Sequence, residues 1–293
     1  MEQKRNSACG AVCVALAGIL WGILGLFVRA LGDSGLTPFD VVGVRALVAA
    51  GALLLFLLAT DRRALLVRPR DLWCFLGTGL CSIVFFNYCY FTAVRMMSLA
   101  SAAVLLYTAP AFVMLLSSAL FGERLTRCRL AALLCTFLGC ASVTGVFGAQ
   151  QSLTPAGVLI GLGAGLGYAL YTIFGRYAIA RGYQAPTITF YTFLIAALCV
   201  CLADGTARLR AAAAVPEALA LMLALGLVST VAPFLLYTIG LRSLSGARAS
   251  IIASIEPVTA ALIGIALYGE QPGFGTLLGL LLVLLGIFLA RKA

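Results

Sequence analysis

The sequence predicts an all-α membrane protein of ten transmembrane helices, built as two inverted five-helix repeats with both termini cytoplasmic. Three observations carry that expectation. The 293-residue chain is 63% hydrophobic and only 10% charged, against a charged share of about 25% in soluble globules. The stretch from Tyr90 to Glu123 recurs as Tyr237 to Glu270. A constant shift of 147 residues lays Arg95 on Arg242, Ser98 on Ser245, Pro110 on Pro257 and Gly122-Glu123 on Gly269-Glu270. The same shift puts Gly18, Phe27 and Arg29 on Gly165, Phe174 and Arg176, and Gly139 on Gly286, so the chain is one unit written twice. The third observation is the one-sided placement of the basic residues.

Taken in order, apolar runs read as spans over approximately 9–30, 38–60, 72–93, 98–121, 129–148, 155–176, 186–203, 216–240, 247–268 and 274–291. Each reaches the ~17–25 residues that cross a hydrocarbon core of roughly 30 Å. They divide into copies at 1–148 and 149–293. Lys4 and Arg5 precede the first run as in a signal peptide, but that run continues past Phe27 with no small-residue cleavage site, so it reads as a retained span. Connections are short: Gly-Asp-Ser-Gly at 32–35, Gln150-Gln151-Ser152 before Pro155, and Gln271-Pro272-Gly273. Pro38, Pro155, Pro186, Pro216 and Pro272 fall at or near span starts, where a missing N–H costs little.

With the N-terminus in the cytoplasm, the inside set is Lys4, Arg5, Arg62, Arg63, Arg68, Arg70, Arg124, Arg127, Arg129, Arg176, Arg181, Arg242, Arg248, Arg291 and Lys292. Outside lie Arg29, Arg95, Arg208 and Arg210, which makes 15 against 4 of the 20 basic residues, with Arg45 left inside span two. Five spans is an odd number, so the second copy enters from the opposite side. The loop after Glu123 carries three arginines and its counterpart after Glu270 carries none, as that inversion requires. Inverted repeats of this kind belong to secondary transporters, whose site lies near the midplane between the halves. A membrane scaffold is the plainer alternative, but scaffolding does not require pseudo-symmetric halves.

Several classes fall away. The net charge of +10 sits in short loops rather than on one soluble face, so a lipid bilayer and not nucleic acid is the expected partner. The ten cysteines form no metal-type CxxC pair, and Cys13, Cys81, Cys89, Cys135, Cys140, Cys199 and Cys201 lie within apolar runs as small hydrophobes. There is no histidine, which removes the commonest metal ligand and general base. No metal, cofactor or disulfide framework is expected. A membrane-embedded lipid-modifying enzyme would need clustered acid/base or metal-binding residues, and the carboxylates are isolated. A P-loop is absent, so the chain has no ATP motor of its own.

Leu20-Trp21-Gly22, the lone Arg45 in span two, Tyr107-Thr108-Ala109-Pro110, Gly122-Glu123-Arg124-Leu125-Thr126, Ile255-Glu256-Pro257-Val258 and Gly269-Glu270 together resemble the EamA-type members of the drug/metabolite transporter superfamily. The resemblance covers nearly the whole chain. It implies ten spans in two copies and transport of amino acids, nucleobases, amines or other small metabolites in either direction. Tyr168 stands where the second half often has Trp, and no arginine in span seven matches Arg45.

Glu256 is the sharpest single feature, about nine residues and roughly 14 Å into its span. A carboxylate at that depth costs ~2.5–3.5 kcal/mol, so it should face a cavity or a partner. It reads either as a proton-titrating or cation-attracting group, or as a structural acid bonded to backbone on the seam of Ala249, Ala253 and Ala260. Pro110 and Pro257 occupy matching midspan positions, each freeing a carbonyl one turn earlier, and read as paired gating breaks or as static kinks. Trp21, Tyr107 and Tyr168 fall well inside their spans; Tyr88, Tyr171 and Tyr237 lie nearer the ends, where an interfacial belt is the alternative for Tyr88 and Tyr237. Trp21 and Tyr168 are related by the repeat and are expected to face one central cavity. Asn87, Ser250 and Ser254 supply hydrogen bonds, unless the serines bond back to their own helix. Arg45 reads as snorkelling outward or pairing with Asp40, with a part in an anion path as the other choice. The glycines of spans one and six read as a close-packed moving seam.

The function expected is secondary transport of a small organic metabolite across the cytoplasmic membrane by alternating access, with export of an amino acid or related compound first. Proton-coupled uptake of an amine or quaternary ammonium solute is second, with Glu256 as the coupling carboxylate. A monomer suffices because both halves lie on one chain, and a dimer stays open.

Overall fold

The computed structural model describes residues 2–146, 154–202 and 206–292, and among them the only regular structure is helix. In chain order the elements are α1 (Glu2–Gly22), α2 (Leu24–Asp33), α3 (Pro38–Thr60), α4 (Leu72–Leu76), α5 (Phe85–Met96), α6 (Leu99–Leu106), α7 (Ala109–Phe121) and α8 (Arg127–Val143). The second series is α9 (Pro155–Ala180), α10 (Ala185–Leu202), α11 (Thr206–Ala213), α12 (Pro216–Gly226), α13 (Ala232–Gly240), α14 (Gly246–Ala253), α15 (Ile255–Tyr268) and α16 (Phe274–Lys292).

Continuous or nearly continuous runs of these make eight units long and apolar enough to cross a bilayer: Asn6–Asp33, Pro38–Thr60, Pro69–Met96, Leu99–Phe121, Pro155–Ala180, Ala185–Leu202, Pro216–Gly240 and Gly246–Tyr268. Two predicted spans remain, and the first of them is shorter than expected. The run predicted at 129–148 is the 17-residue α8, roughly 26 Å long. It stops because the chain turns at Gly145, whose φ of 71° is left-handed. The last predicted span, 274–291, is covered by the 19-residue α16. The boundary between copies at 148/149, the Gln150-Gln151-Ser152 connection and the predicted end of span seven at 203 lie outside the described residues. Residues expected as loop before Pro216 include α11, whose Leu209 packs with Leu31, Val41 and Val44.

Local chemistry explains the recurring starts and stops. Ser98 caps α6 by accepting from the Ser101 N–H at 3.1 Å, and Ser245 caps α14 from Arg248 N–H at 3.3 Å. Gly122 and Gly269 end α7 and α15 with φ of 67° and 66°. Between cap and stop, both units are broken at the same place: at Tyr107-Thr108 before Pro110, and at Ser254 before Pro257. Proline cannot donate to the carbonyl one turn earlier, so the ladder lapses there. Wide π turns also recur at matching positions, over Gly77–Val84 and Leu227–Val231.

Glycines let the broken helices sit against their neighbours. A Cβ on Gly18 would lie 2.7 Å from the Ala253 carbonyl, and one on Gly165 would lie 2.8 Å from the Leu105 carbonyl. At the far edge, α8 and α16 pack along each other. There a Cβ on Gly139 would come 2.7 Å from the Val283 nitrogen, and one on Gly286 would come 2.9 Å from the Ala132 carbonyl. Trp21, Phe193, Phe234, Tyr171 and Tyr237 form the largest buried cluster, where α1, α9, α10 and α13 meet.

Candidate solute site

The central cavity lies at that aromatic cluster and has a volume of about 740 Å³ including its mouth. Its walls include Trp21, Arg45, Ser82, Asn87, Tyr168, Phe234, Tyr237 and Glu256. The broken helices supply one wall: Leu106 ends α6, and Glu256 is the second residue of α15, just beyond the break at Ser254. The π turn supplies another through Ser82 and Ile83. Interrupted helices thus put both bare backbone and a carboxylate beside the cavity, where irregular backbone at membrane depth is tolerated.

Trp21 is the hub of the rings. Its centroid lies 5.2 Å from Phe234, 5.4 Å from Tyr237 and 6.3 Å from Tyr168. Two tyrosine hydroxyls are satisfied by threonines, Tyr171 with Thr238 and Tyr237 with Thr172, both at 2.8 Å. Tyr168 donates instead to Glu256 Oε2 at 3.3 Å. Opposite in charge and on the same cavity, Arg45 donates its Nε to Thr230 Oγ1 at 3.0 Å. Neither Arg45 nor Glu256 makes an ion pair with a described residue. Ser82 Oγ is buried without a hydrogen-bond partner among the described residues.

A smaller cavity of about 300 Å³ adjoins it and shares Tyr168 and Glu256. Tyr107, Pro110, Ser250 and Ser254 also line it. A third crevice of about 700 Å³ runs from Tyr107 and Pro257 to Glu270.

The family model for the EamA-like transporter family matches this chain twice, over residues 8–145 and 155–291. The chain belongs to the EamA-like transporter family. Relatives of similar length are named as transporters. A protein of Archaeoglobus fulgidus named "uncharacterized transporter" is 29% identical over the whole of both chains. The "uncharacterized transporter YwfM" of Bacillus subtilis is 27% identical over 96% of this chain and 93% of its own. A crystal structure at 20% identity superposes with a TM-score of 0.80 over 97% of this chain and 96% of that one, a likeness of fold. This EamA-like chain is therefore a multi-pass membrane protein of a transporter family.

Six of the ten solute residues singled out in the sequence reach the central cavity of this EamA-like protein: Trp21, Asn87, Tyr168, Tyr171, Tyr237 and Glu256. Tyr107, Ser250 and Ser254 reach the adjoining one. Tyr88 does not. It is 62% exposed on the outer face, and its neighbour Asn87 points inward. The interfacial alternative for Tyr237 is overturned, since the ring is buried between Trp21 and Tyr171. Both serines bond back to their own helix, Ser250 to the Ala247 carbonyl at 3.0 Å and Ser254 to the Ser250 carbonyl at 3.3 Å. Asn87 gives its amide to the Ile83 carbonyl at 2.7 Å.

Arg45 is the main correction. Snorkelling or pairing with Asp40 does not occur, because Asp40 is taken by Arg208 at 3.0 Å and by the Thr37 capping box. The Arg45 guanidinium turns inward instead. Its solitude in an apolar span was the signal, and depth alone did not give its direction. Phe234 was missed although the shift of 147 lays it on Asn87.

Proposed function

We propose that this protein is a secondary active transporter that exports a small organic metabolite, an amino acid or related compound, across the cytoplasmic membrane by alternating access. The observation that carries this reading is the placement of Arg45 and Glu256, opposite charges that make no ion pair among the described residues, on one ring-lined cavity. A solute with a carboxylate for Arg45 and an ammonium group for Glu256 neutralises both walls. The rings of Trp21 and Tyr168 take up its apolar part, and the Ser82 hydroxyl, which has no partner among the described residues, adds a hydrogen bond.

Uptake of an amine or quaternary ammonium solute draws support from Glu256 and the rings. Arg45 counts against it, since a solute with no anionic group leaves that guanidinium facing a like charge. The relatives' names favour transport over a lipid-modifying enzyme.

Ten spans in two inverted repeats, 1–148 and 149–293, with both termini inside, complete the reading. Its support is the matching caps, breaks and π turns 147 residues apart, the twofold family match, and the 15-to-4 division of basic residues. Cysteine labelling from each side of the membrane should find positions 123 and 270 on opposite faces; a common face would remove the inversion. A monomer is the working unit, and Glu256 is the proton-coupling group.

The deciding measurement is counterflow in proteoliposomes with a neutral amino acid series, its methyl esters and its N-acetyl derivatives. The zwitterions should exchange and the singly charged derivatives should not. Equal exchange of the esters would return the cation reading to first place.

A further inference from the structure

The two ends of the molecule are in different states, and the difference falls on residues that the repeat relates. At one end Glu123, just beyond α7, pairs with Arg176 of α9, accepts the backbone N–H of Gly246 at 3.0 Å and lies 3.6 Å from Arg129. Gly246 is the first residue of α14, and a free N–H at a helix start is a ready donor to a carboxylate. The fit is tight. A Cβ on Gly246 would lie 2.7 Å from Ser117 Oγ, and α14 packs on both α7 and α9.

Shifted back or forward by 147, these residues are Glu270, Arg29, Leu99 and Gly264. All the parts of a second latch are present, and the latch is not made. Arg29 stacks on Tyr268 at 4.2 Å, as Arg176 does on Phe121 at 4.1 Å, so the arginine is already in position. Glu270 is exposed and reaches neither Arg29 nor α6. It folds back on its own helix, where a Cβ on Gly264 would run into its Oε2. Leu99, whose counterpart Gly246 is buried, is 63% exposed. The helix it starts, α6, packs on α5 and α9 rather than on α15 and α2.

We infer that Glu123 and Glu270 are the bolts of two alternating gates, and that the state opposite to this one closes by Glu270 swinging off Gly264 to bond Arg29 and the N–H of Leu99. The inference rests on the inverted-repeat reading above. It adds residues and contacts for a conformation not seen here. The gates are unequal: Arg129 adds a third contact to Glu123, and its counterpart Thr276 carries no charge. The end held by Glu123 is accordingly the tighter one.

The test is a pair of spin-label distances on the full chain in nanodiscs, with its ten native cysteines replaced. Labels at Leu120 and Arg242 report the Glu123 end, and labels at their counterparts Leu267 and Arg95 report the other. All four side chains are exposed. The parent protein should show a short 120–242 distance and a long 95–267 distance. Glu123→Gln should lengthen the first and shorten the second, moving the ratio of populations on the order of tenfold. Adding Glu270→Gln or, separately, Arg29→Gln should abolish the short 95–267 population. If that population survives both additions, or if Glu123→Gln moves neither distance, the latch is refuted. These distances need no solute, so a failed latch leaves the transport reading standing, whereas failure of every solute to exchange bears on that reading and not on the latch.

Discussion

The phenol of Tyr168 donates a hydrogen bond to Glu256 at 3.3 Å, joining α9 to the broken unit of α14 and α15. Through it, the carboxylate beside one helix break is held by the ring that the repeat relates to Trp21. A solute ammonium or a proton must compete with or supplement this bond, so it is the natural point at which occupancy and helix position are linked.

Glu256→Gln keeps the shape of that contact and removes the titratable group. Transport driven by a pH gradient should lose its dependence on the gradient, whereas solute exchange without a gradient should continue only with weakened affinity, because the solute ammonium loses its counter-charge. An unaltered gradient dependence would show that the coupling proton rides elsewhere.

Arg45→Gln removes the cavity's cation and keeps a hydrogen-bonding side chain near Thr230. Losing a hydrogen bond to a charged group costs about 1.5–3 kcal/mol, which is roughly a 10- to 150-fold weaker affinity for a carboxylate-bearing solute. Affinity for its methyl ester should change little or rise. Titration calorimetry on both solutes checks the contrast.

Trp21→Ala takes away the ring that touches Tyr168, Phe234 and Tyr237. Affinity for ring-bearing or ammonium solutes should fall by about 0.5–2 kcal/mol from lost ring contacts. Truncating a large buried ring should also lower the unfolding temperature. Trp21→Phe should recover most of the stability and part of the affinity.

Pro110→Ala and Pro257→Ala restore a backbone donor at each break. If the breaks serve gating, the maximal rate falls in each and falls further in the double variant, with solute affinity nearly unchanged. Static kinks would instead alter stability and leave the rate alone. Counterflow rates measured beside thermal unfolding separate the two.

Gly139→Ala places a Cβ 2.7 Å from the Val283 nitrogen and 2.8 Å from the Gly279 carbonyl, both backbone atoms that yield little. Overpacking of this kind costs about 1–3 kcal/mol. The protein should unfold at a lower temperature, with the solute preferences of any folded fraction intact, because α8 and α16 stand apart from the central cavity.

Helix starts and stops were legible in the sequence because their causes are local. Ser98 and Ser245 bond three residues ahead, Gly122 and Gly269 supply a left-handed φ, and Pro110 and Pro257 withhold a donor. The all-helical membrane class followed from composition, the repeat pointed to Trp21 and Tyr168 as neighbours because it relates them, and Glu256 stood out by its depth in an apolar span. The stop of α8 at Val143 was less legible, since apolarity continues beyond the turn at Gly145.

Side-chain direction was decided only in three dimensions. Whether Arg45 snorkels or turns inward depends on Thr230, 185 residues away, and on Arg208 claiming Asp40 from a helix the sequence did not announce. The contrast between Glu123 and Glu270 is of the same kind. Their flanking sequences match, so local chemistry treats them alike, and only the packing of α14 against α7 and of α6 away from α15 makes one bonded and the other free. Sequence therefore determined which segments are helices and which pairs are related, because those follow from near neighbours and composition. Tertiary packing decided which member of each pair is engaged, because an ion pair forms only where distant helices bring both partners within reach.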